Sequence, residues 1–385
     1  MTTVLAPLLA LSVLVGVARA APPASVPVDL GTLGGTFSEA VAISPSGQVI
    51  GISSTAGSAG TNHAFSWTKA GGMVDLGTLP FGGSSEATAV SPSGQVVGFS
   101  SSGAFTDHAF SWTKAGGMVD LGTLPLGSDS FATGVSPRGQ VVGRSLTLVN
   151  GGIEMHAFLW TEAGGMVDLG TLGGTFSEAV AISPSGQVVG NSDTTGNSAT
   201  HAFSWTKTGG MVDLGTLGGN ISHAAAVSPS GQVVGSSAID SISTHAFSWT
   251  KSGGMVDLGT LGGGFSQAFA VSPSGQVVGE AATADGFLHA FSWTKTGGMV
   301  DLGTLGGNSS IARAVTPSGQ VVGWSYSAEV PFLSHAFSWT KKGGMVELGT
   351  LGGALSSAVA VSPSGQIVGE SQTATFDNHA TLWQR

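Results

Sequence analysis

Short stretches in which hydrophobic and polar residues alternate recur along this chain, and each stretch ends at a turn motif. One turn is Ser44-Pro45-Ser46-Gly47, where proline presets φ and glycine accepts the left-handed conformation that closes a tight hairpin. A second turn is Lys69-Ala70-Gly71-Gly72. The pattern predicts four β-strands per unit, named A to D here: Ala40–Ile43, Gln48–Ile52, His63–Thr68 and Met73–Leu79.

This four-strand unit is repeated eight times. The string His63-Ala64-Phe65-Ser66-Trp67 returns with small changes at positions 108, 156, 201, 245, 289, 335 and 379, so 44 to 48 positions separate successive copies. The strings V-D-L-G-T-L and S-P-S-G-Q-V also occur eight times with small changes. Four strands in a period of this length predict one blade of a β-propeller.

These three strings resemble the HAF family of probable extracellular bacterial repeat proteins, which is named for the tripeptide seen at His63-Ala64-Phe65. The resemblance covers Val28 to Arg385. It implies an exported protein and implies little about activity.

The ends of the repeat region predict how the ring closes. Val28–Leu33 has the pattern of strand D and His379–Trp383 that of strand C, so the two halves complete one blade. The predicted fold is therefore all-β, an eight-bladed β-propeller of four-stranded blades over residues 28–385, closed by pairing of the N-terminal strand with the C-terminal strand. An open β-solenoid and two smaller sheet domains are the alternatives.

Side-chain size predicts how the blades stack. A four-residue C–D loop places Trp67 opposite Val74, Phe65 opposite Leu76 and Ser66 opposite Asp75. One face of each blade is then bulky and the other small, which allows neighbouring blades to fill space at native density. Only 9 % of residues are charged, against about 25 % in an average soluble protein, so a sheet with one wet face is disfavoured.

The first twenty residues differ from the repeats. Val4–Val17 is apolar and uncharged, and Ala18-Arg19-Ala20 follows with small residues at the cleavage-site positions. This predicts a signal peptide over residues 1–20, a short linker over 21–27 and a secreted or cell-surface protein; an N-terminal anchor is the alternative. No later segment is apolar enough to span a bilayer. The chain has no cysteine, which excludes disulfides and thiolate metal sites.

The two ends of the predicted propeller differ in variability and charge. The A–B and C–D turns fall at one end, the constant end, which carries lysines such as Lys69 and Lys114. The B–C and D–A connections fall at the other end, the variable end. Their length and content vary between repeats, and most carboxylates lie in or near them. Loops on a rigid scaffold commonly carry binding residues, so the variable end is the candidate binding face. Solvation of turns by charge is the simpler explanation.

Individual residues at the variable end supply the ligand-binding candidates. Trp324 and Tyr326 are aromatics able to stack on sugar rings, although local packing also explains Trp324. His223 is the one histidine outside the repeat register, and Glu280 and Asp285 belong to the acidic variable end.

The repeated residues are interpreted as structural rather than as ligands. Each repeated histidine is expected to bond a facing threonine such as Thr78, and each Asp of strand D to face a serine and protect the blade edge. No metal site or catalytic residue is predicted; calcium is the alternative cofactor, although one carboxylate per blade supplies too few ligands. The structural set is His63, Trp67, Asp75, His108, Trp112, Asp120, His201, Trp205 and Asp213.

Near-equal blades predict a non-enzymatic binding or structural module whose partner is a surface glycan or another extracellular polymer. The alternative is a glycan-acting hydrolase or lyase, which needs two carboxylates at a set spacing. Sialidase-like chemistry is disfavoured because the arginines are scattered, and a net charge of −10 disfavours nucleic acid.

Overall fold

The computed structural model describes residues 25–57, 61–103, 105–328 and 333–384. The predicted signal peptide, most of the predicted linker and Arg385 lie outside this part of the chain. The described residues form 32 β-strands and one short 3-10 turn, Thr195–Asn197. None of the helical structure described is long and apolar enough to cross a membrane.

The strands form eight four-stranded antiparallel units, here called blades 1 to 8; one parallel bridge joins blade 3 to blade 4 and another joins blade 5 to blade 6. Blade 1 holds β2 (Gly34–Ile43), β3 (Val49–Thr55), β4 (Asn62–Thr68) and β5 (Gly72–Asp75). Blade 2 holds β6 (Ser85–Val90), β7 (Val96–Ser101), β8 (Asp107–Thr113) and β9 (Gly117–Asp120). Blade 3 holds β10 (Ser130–Val135), β11 (Val141–Val149), β12 (Gly152–Thr161) and β13 (Gly165–Asp168). Blade 4 holds β14 (Gly173–Ile182), β15 (Val188–Thr194), β16 (Thr200–Thr206) and β17 (Gly210–Asp213).

Blade 5 holds β18 (Ser222–Val227), β19 (Val233–Ala238), β20 (Thr244–Thr250) and β21 (Gly254–Asp257). Blade 6 holds β22 (Gly262–Val271), β23 (Val277–Thr283), β24 (Leu288–Thr294) and β25 (Gly298–Asp301). Blade 7 holds β26 (Gly306–Val315), β27 (Val321–Ser327), β28 (Ser334–Thr340) and β29 (Gly344–Glu347). Blade 8 holds β30 (Gly352–Val361), β31 (Ile367–Thr373), β32 (Asn378–Gln384) and, as its outer strand, β1 (Val26–Asp29).

The ring is closed by the two ends of the chain, as predicted. Strand β1 pairs antiparallel with β32 from Val26–Gln384 to Asp29–Thr381. Blade 8 also contacts blade 1, since the Ala380 amide donates to Ser38 Oγ at 2.8 Å. Strand β1 begins at Val26, two residues before the predicted start of the propeller. The predicted eight-bladed propeller is therefore confirmed.

Each blade buries its aromatic side against the preceding blade. Phe65 is fully buried in a cluster with Ala40 and Val49 of its own blade and with Val368 and Leu382 of blade 8. Blade 1 presents Ile50, Ala64 and Leu76 to blade 2, where Phe110 occupies the position of Phe65. Bulky residues thus face small ones around the ring, as predicted, and dense packing of this kind stabilises the fold.

The predicted C–D register is wrong by one residue. Trp67 lies opposite Met73, Phe65 opposite Asp75 and Ser66 opposite Val74. The reason is a three-residue loop, because Thr68 pairs with Gly72 and the Gly71 amide donates to the Thr68 carbonyl. Gly72 adopts φ 67°, the left-handed conformation that such a loop needs. Leu76 therefore lies on the face opposite to that predicted.

Serine hydroxyls join neighbouring blades. Ser85 Oγ of blade 2 accepts the Ala64 amide of blade 1 at 2.9 Å and donates to the Gly77 carbonyl at 2.6 Å. The equivalent serines of the other blades accept an amide from the preceding blade in the same way. Because buried amides need partners, these bonds fix the angle at which one blade follows the next.

Candidate ligand-binding site

The A strands form the innermost circle of the propeller, because each contacts the A strands of both neighbouring blades. In every repeat one strand-A residue lies between an invariant serine and alanine, and its ladder partner in strand B follows an invariant glycine. We call these sixteen positions the channel ring. On strand A they are Glu39, Glu86, Phe131, Glu178, His223, Gln267, Ile311 and Ser357; their partners, in the same order, are Ile52, Phe99, Arg144, Asn191, Ser236, Glu280, Trp324 and Glu370.

Three glutamates form an acidic arc on blades 8, 1 and 2. Burial raises the pKa of Glu39. Burial also raises the pKa of Glu86 and of Glu370, and the Glu39 charge raises both further. Partly buried like charges disfavour the ionised form. The arc can therefore hold a proton more readily than free carboxylates would.

Blades 3 and 4 hold a polar network. Arg144 donates from Nη1 to Glu178 Oε2 at 2.9 Å, and Asn191 donates to Glu178 Oε1 at 3.1 Å. The Asn191 side-chain oxygen accepts the Ala224 amide of blade 5 at 2.8 Å. The guanidinium of Arg144 also lies 5.3 Å from the centre of the Phe131 ring. Both oxygens of the Glu178 carboxylate are thus satisfied, whereas the buried Arg144 Nε has no hydrogen-bond partner among the described residues.

His223 lies in strand β18 beside this network. Its side chain is exposed and borders a cleft of about 290 Å³ with Asn220, Ile242 and Thr244. Although the side chain is exposed, partial desolvation of the imidazole by neighbouring groups lowers the pKa of His223, and the Glu178 charge opposes that shift. The ring is therefore favoured in its neutral form, which can both donate and accept a hydrogen bond.

Glu280 lies between blades 6 and 7 and is 8 % exposed. Its Oε2 has no hydrogen-bond partner among the described residues. Burial raises the pKa of Glu280, and the Arg313 guanidinium opposes that shift. Arg313 itself stacks on Phe269, 4.8 Å from the ring centre. A buried oxygen without a donor is costly, so this site can accept a hydrogen bond from a ligand.

Trp324 and Tyr326 form an aromatic pair on strand β27. Their ring centroids are 5.3 Å apart and their planes are inclined by 51°. Trp324 belongs to the channel ring, and Tyr326 lies two residues further along the same strand, opposite Ser334. Both side chains are half-buried.

The structure thus brings some of the predicted candidates together and separates others. His223, Glu280 and Trp324 occupy the channel ring, with Tyr326 beside it. Asp285 is exposed in the B–C loop of blade 6 and lies apart from the ring. The predicted set did not include the acidic arc, the Arg144 network or Arg313. These residues are detectable in the sequence when the eight repeats are aligned, because each variable ring position is flanked by invariant residues.

The repeated histidines bond aspartates rather than threonines. His63 Nδ1 lies 2.9 Å from Asp75 Oδ2, and the Gly77 amide donates to Asp75 Oδ1 at 2.7 Å. Asp75 therefore faces the histidine and not Ser66, so both predicted contacts are wrong. Similar His–Asp pairs join strands C and D in other blades, and in one blade a glutamate replaces the aspartate. The histidines paired with aspartate are His108, His201, His245, His289 and His379, and His335 pairs with Glu347.

His156 differs from the other repeated histidines. Its side chain is 8 % exposed, with Nδ1 2.8 Å from Asp168 and Nε2 3.0 Å from Glu154. The hydrogen bond to Asp168 raises the pKa of His156 most, and Glu154 adds to the shift against the effect of burial.

The repeated tryptophans Trp67, Trp112 and Trp205 pack at the blade interfaces. These repeated side chains serve the blade itself. In the described part of the chain, no group of three or more His, Cys, Asp or Glu side chains is placed to hold a metal ion.

Comparison with known proteins defines the fold. No protein-family profile and no curated protein matches the chain. A puromycin-hydrolysing peptidase from Mycobacterium tuberculosis is similar in structure, with 14 % identity, 91 % of this chain and 61 % of the peptidase covered, and a TM-score of 0.51. A prolyl endopeptidase structure is also similar, with 11 % identity and a TM-score of 0.52. The alignment covers 87 % of this chain and 54 % of the endopeptidase.

A virginiamycin B lyase from Staphylococcus aureus aligns over 94 % of this chain and 99 % of its own, with 13 % identity and a TM-score of 0.43. This chain spans just over half the length of the two peptidases. The class of protein that fold and comparisons define is the β-propeller. At these identities the likeness extends to the fold alone.

Proposed function

We propose that this chain is an exported, HAF-repeat β-propeller that binds a glycan or another extracellular polymer at the channel ring without chemical turnover. The observation that supports this proposal is the set of positions at which the eight repeats differ. Sixteen ring positions, flanked by near-invariant residues, hold nine residue types that include charged, aromatic and amide side chains. The packing of one blade on the next explains why the other positions are repeated. The positions that vary between repeats are therefore the ones that determine binding specificity.

The composition of the ring supports a sugar ligand. The aromatic pair Trp324–Tyr326 offers a face for stacking. The orphaned oxygen of Glu280 accepts a hydroxyl hydrogen, and Arg313 lies close enough to influence the Glu280 carboxyl. Binding sites for small polar ligands combine such apolar faces with a few directed polar groups.

Export is supported by the sequence and not by the described residues. Val4–Val17 and Ala18-Arg19-Ala20 have the order of a signal peptide. A chain without cysteine folds independently of disulfide formation outside the cell.

Binding is tested on a glycan array with the chain from Ala21 onward. The double variant Trp324→Ala/Tyr326→Ala is expected to lose at least ten-fold in affinity for whatever glycan the wild type binds. The matched control, Val74→Ala/Val119→Ala, truncates two exposed residues of outer strands and should bind like the wild type. An array with no wild-type binding, or equal binding by all three proteins, contradicts the proposal.

The second candidate function is a glycan hydrolase or lyase, and the acidic arc favours it. A carboxyl of raised pKa near an ionised one is the arrangement that general acid catalysis uses. The test is product analysis of a bound polysaccharide, with Glu39→Gln as the inactive variant. New chain ends formed by the wild type and absent with Glu39→Gln would replace binding by catalysis.

A further inference from the structure

Large apolar side chains stand exposed at the variable end, and we call them the loop tips. They lie in or beside the B–C and D–A connections: Phe81, Phe105, Leu126, Ile153, Ile242, Phe287 and Phe376. Six are 75 to 97 % exposed, and Phe287 is 44 % exposed. Scattered single apolar residues need no explanation, whereas a set gathered on one surface marks an interaction site.

Three loop tips are held in an unfavourable backbone conformation. Phe81, Leu126 and Phe376 have φ of 67°, 62° and 68°. Phe376 donates its amide to Thr373 as Gly286 does to Thr283 in blade 6, where the same turn uses glycine at φ 84°. A bulky residue in the left-handed region costs about 1 kcal/mol or more. The fold would be served better by glycine, so the exposed aromatic at this position answers another need.

Carboxylates accompany the loop tips. Asp107 and Asp129 lie near Phe105 and Leu126 along the chain, Glu154 follows Ile153, and Asp240, Asp285 and Asp377 lie in the loops of Ile242, Phe287 and Phe376. Glu329 lies outside the described residues and Glu162 at the constant end. Of the other twenty carboxylates of the chain, eight face the repeated histidines. In the described part, the arginines away from the constant end are Arg144 and Arg313. Two variable ends therefore repel each other.

The constant end has the opposite charge. Exposed turns carry seven lysines and Arg138, against the single carboxylate of Glu162: Lys69, Lys114, Lys207, Lys251, Lys295, Lys341 and Lys342. No hydrogen bond or ion pair within the described residues occupies these lysines. A surface of this kind attracts an acidic partner, and the attraction weakens with salt.

Clefts open between neighbouring blades at the constant end. One of about 430 Å³ between blades 2 and 3 includes Val119, Arg138, Trp160 and the carboxylate Glu162. Another of about 650 Å³ between blades 4 and 5 includes Trp249 and Lys251, with Lys295 of blade 6 at its rim. The cleft between blades 4 and 5 thus combines an aromatic side with a basic edge, which complements an apolar tip beside a carboxylate, whereas Glu162 offsets Arg138 in the cleft between blades 2 and 3.

The two ends also share one period, since both are built on the same eight blades. A tip that fits one cleft therefore brings its neighbours close to the next clefts around the disc. We propose that the variable end of one chain docks on the constant end of a second copy, giving head-to-tail stacks. The contact is heterologous, so it leaves a free surface at each end of the stack and continues. This surface is separate from the channel ring.

Two variants, each altered at one end, test this contact. The first carries Phe105→Ser, Ile242→Ser and Phe376→Gly, and the second carries Lys114→Gln, Lys251→Gln and Lys295→Gln. In sedimentation velocity at low salt, the wild type should form a concentration-dependent series of oligomers that 0.5 M salt shortens. Each variant alone should associate at least ten-fold more weakly.

Mixing the two variants discriminates head-to-tail docking from any other association. The first variant keeps its basic end and the second keeps its loop tips, so the mixture should give a 1:1 dimer and nothing larger. The control Lys114→Arg/Lys251→Arg/Lys295→Arg keeps the positive charge of the constant end and should associate as the wild type does. A monomeric wild type, unweakened variants or a mixture without dimer each overturns the proposal. Retained glycan binding by the monomeric variants separates this result from failure of the proposed function.

Discussion

One glycine in each blade occupies a position that admits no side chain. A Cβ on Gly51 would lie 1.9 Å from the Glu39 carbonyl and 2.8 Å from Phe65 Cε1. The cause is the β-bulge of strand A between Ala40 and Ala42, which pushes backbone toward strand B. The V-V-G of the repeat therefore records a close approach of two strands.

Replacement of this glycine should destabilise the fold. Gly51→Ala is expected to lower the free energy of unfolding by about 2–3 kcal/mol through overpacking, measured by urea titration. Gly83→Ala is the matched control, because a Cβ there meets nothing within 4 Å. A Gly51→Ala protein as stable as the control would show that the bulge relaxes freely.

The repeat pattern led to an interpretation of the repeated side chains as structural, but it did not predict their partners. His63 and Asp75 are separated by a hairpin whose loop length decides which residues face each other. Four adjacent turn residues, Lys69 to Gly72, are compatible with either a three- or a four-residue loop. Only the geometry of Gly72 selects the shorter one, and with it the His–Asp pair.

At the scale of elements, the hairpins and the closing strand follow from the repeat pattern. The alternation of strand C and the flanking turns predict its bounds to within one residue. Strand D was predicted to reach Leu79 but ends at Asp75, because the Gly77 amide turns back onto the Asp75 carboxylate. Five strands of type A begin earlier than predicted, at glycines such as Gly34, where polar spacing gives no signal for a strand.

Strand β1 should be separable from the propeller and able to return. A chain that lacks residues 1–30 loses the β1–β32 ladder and the burial of Leu30, which is 5 % exposed. Loss of a buried leucine alone costs about 2–5 kcal/mol, so for a chain of this size the melting temperature should fall by roughly 3–7 °C. Added peptide of residues 25–31 should restore it, measured by calorimetry.

The control for that rescue is the same peptide with Leu30→Asp, which keeps the ladder and loses the buried side chain. Restoration by both peptides would show that Leu30 contributes nothing to closure. No restoration by either would show that β1 acts only as part of the continuous chain.

For the whole molecule, the charge of the acidic arc opposes stability near neutral pH. The pKa values of Glu39, Glu86 and Glu370 are raised above 4.5 in the folded state, so their ionised forms destabilise it. This penalty is fully present above the raised pKa values and is relieved as pH falls through them toward 4.5. The ring thus exchanges stability for a concentrated negative charge.

The variant Glu39→Gln/Glu86→Gln/Glu370→Gln should therefore melt at a higher temperature than the wild type at pH 7. The difference should shrink toward zero at pH 4, where the wild-type carboxyls are protonated. Glu162→Gln, which alters an exposed carboxylate of the constant end, is the control. A gain that is the same at both pH values would assign it to packing instead of charge.

Closure by pairing of the chain ends has a practical consequence. Val26 and Gln384 face each other across one ladder rung at the constant end, where every other blade has a covalent C–D turn. A short linker between them would turn the gap into one more such turn. The chain could then be opened at any of the seven remaining C–D turns, giving circular permutants with the same blades and a new order of synthesis.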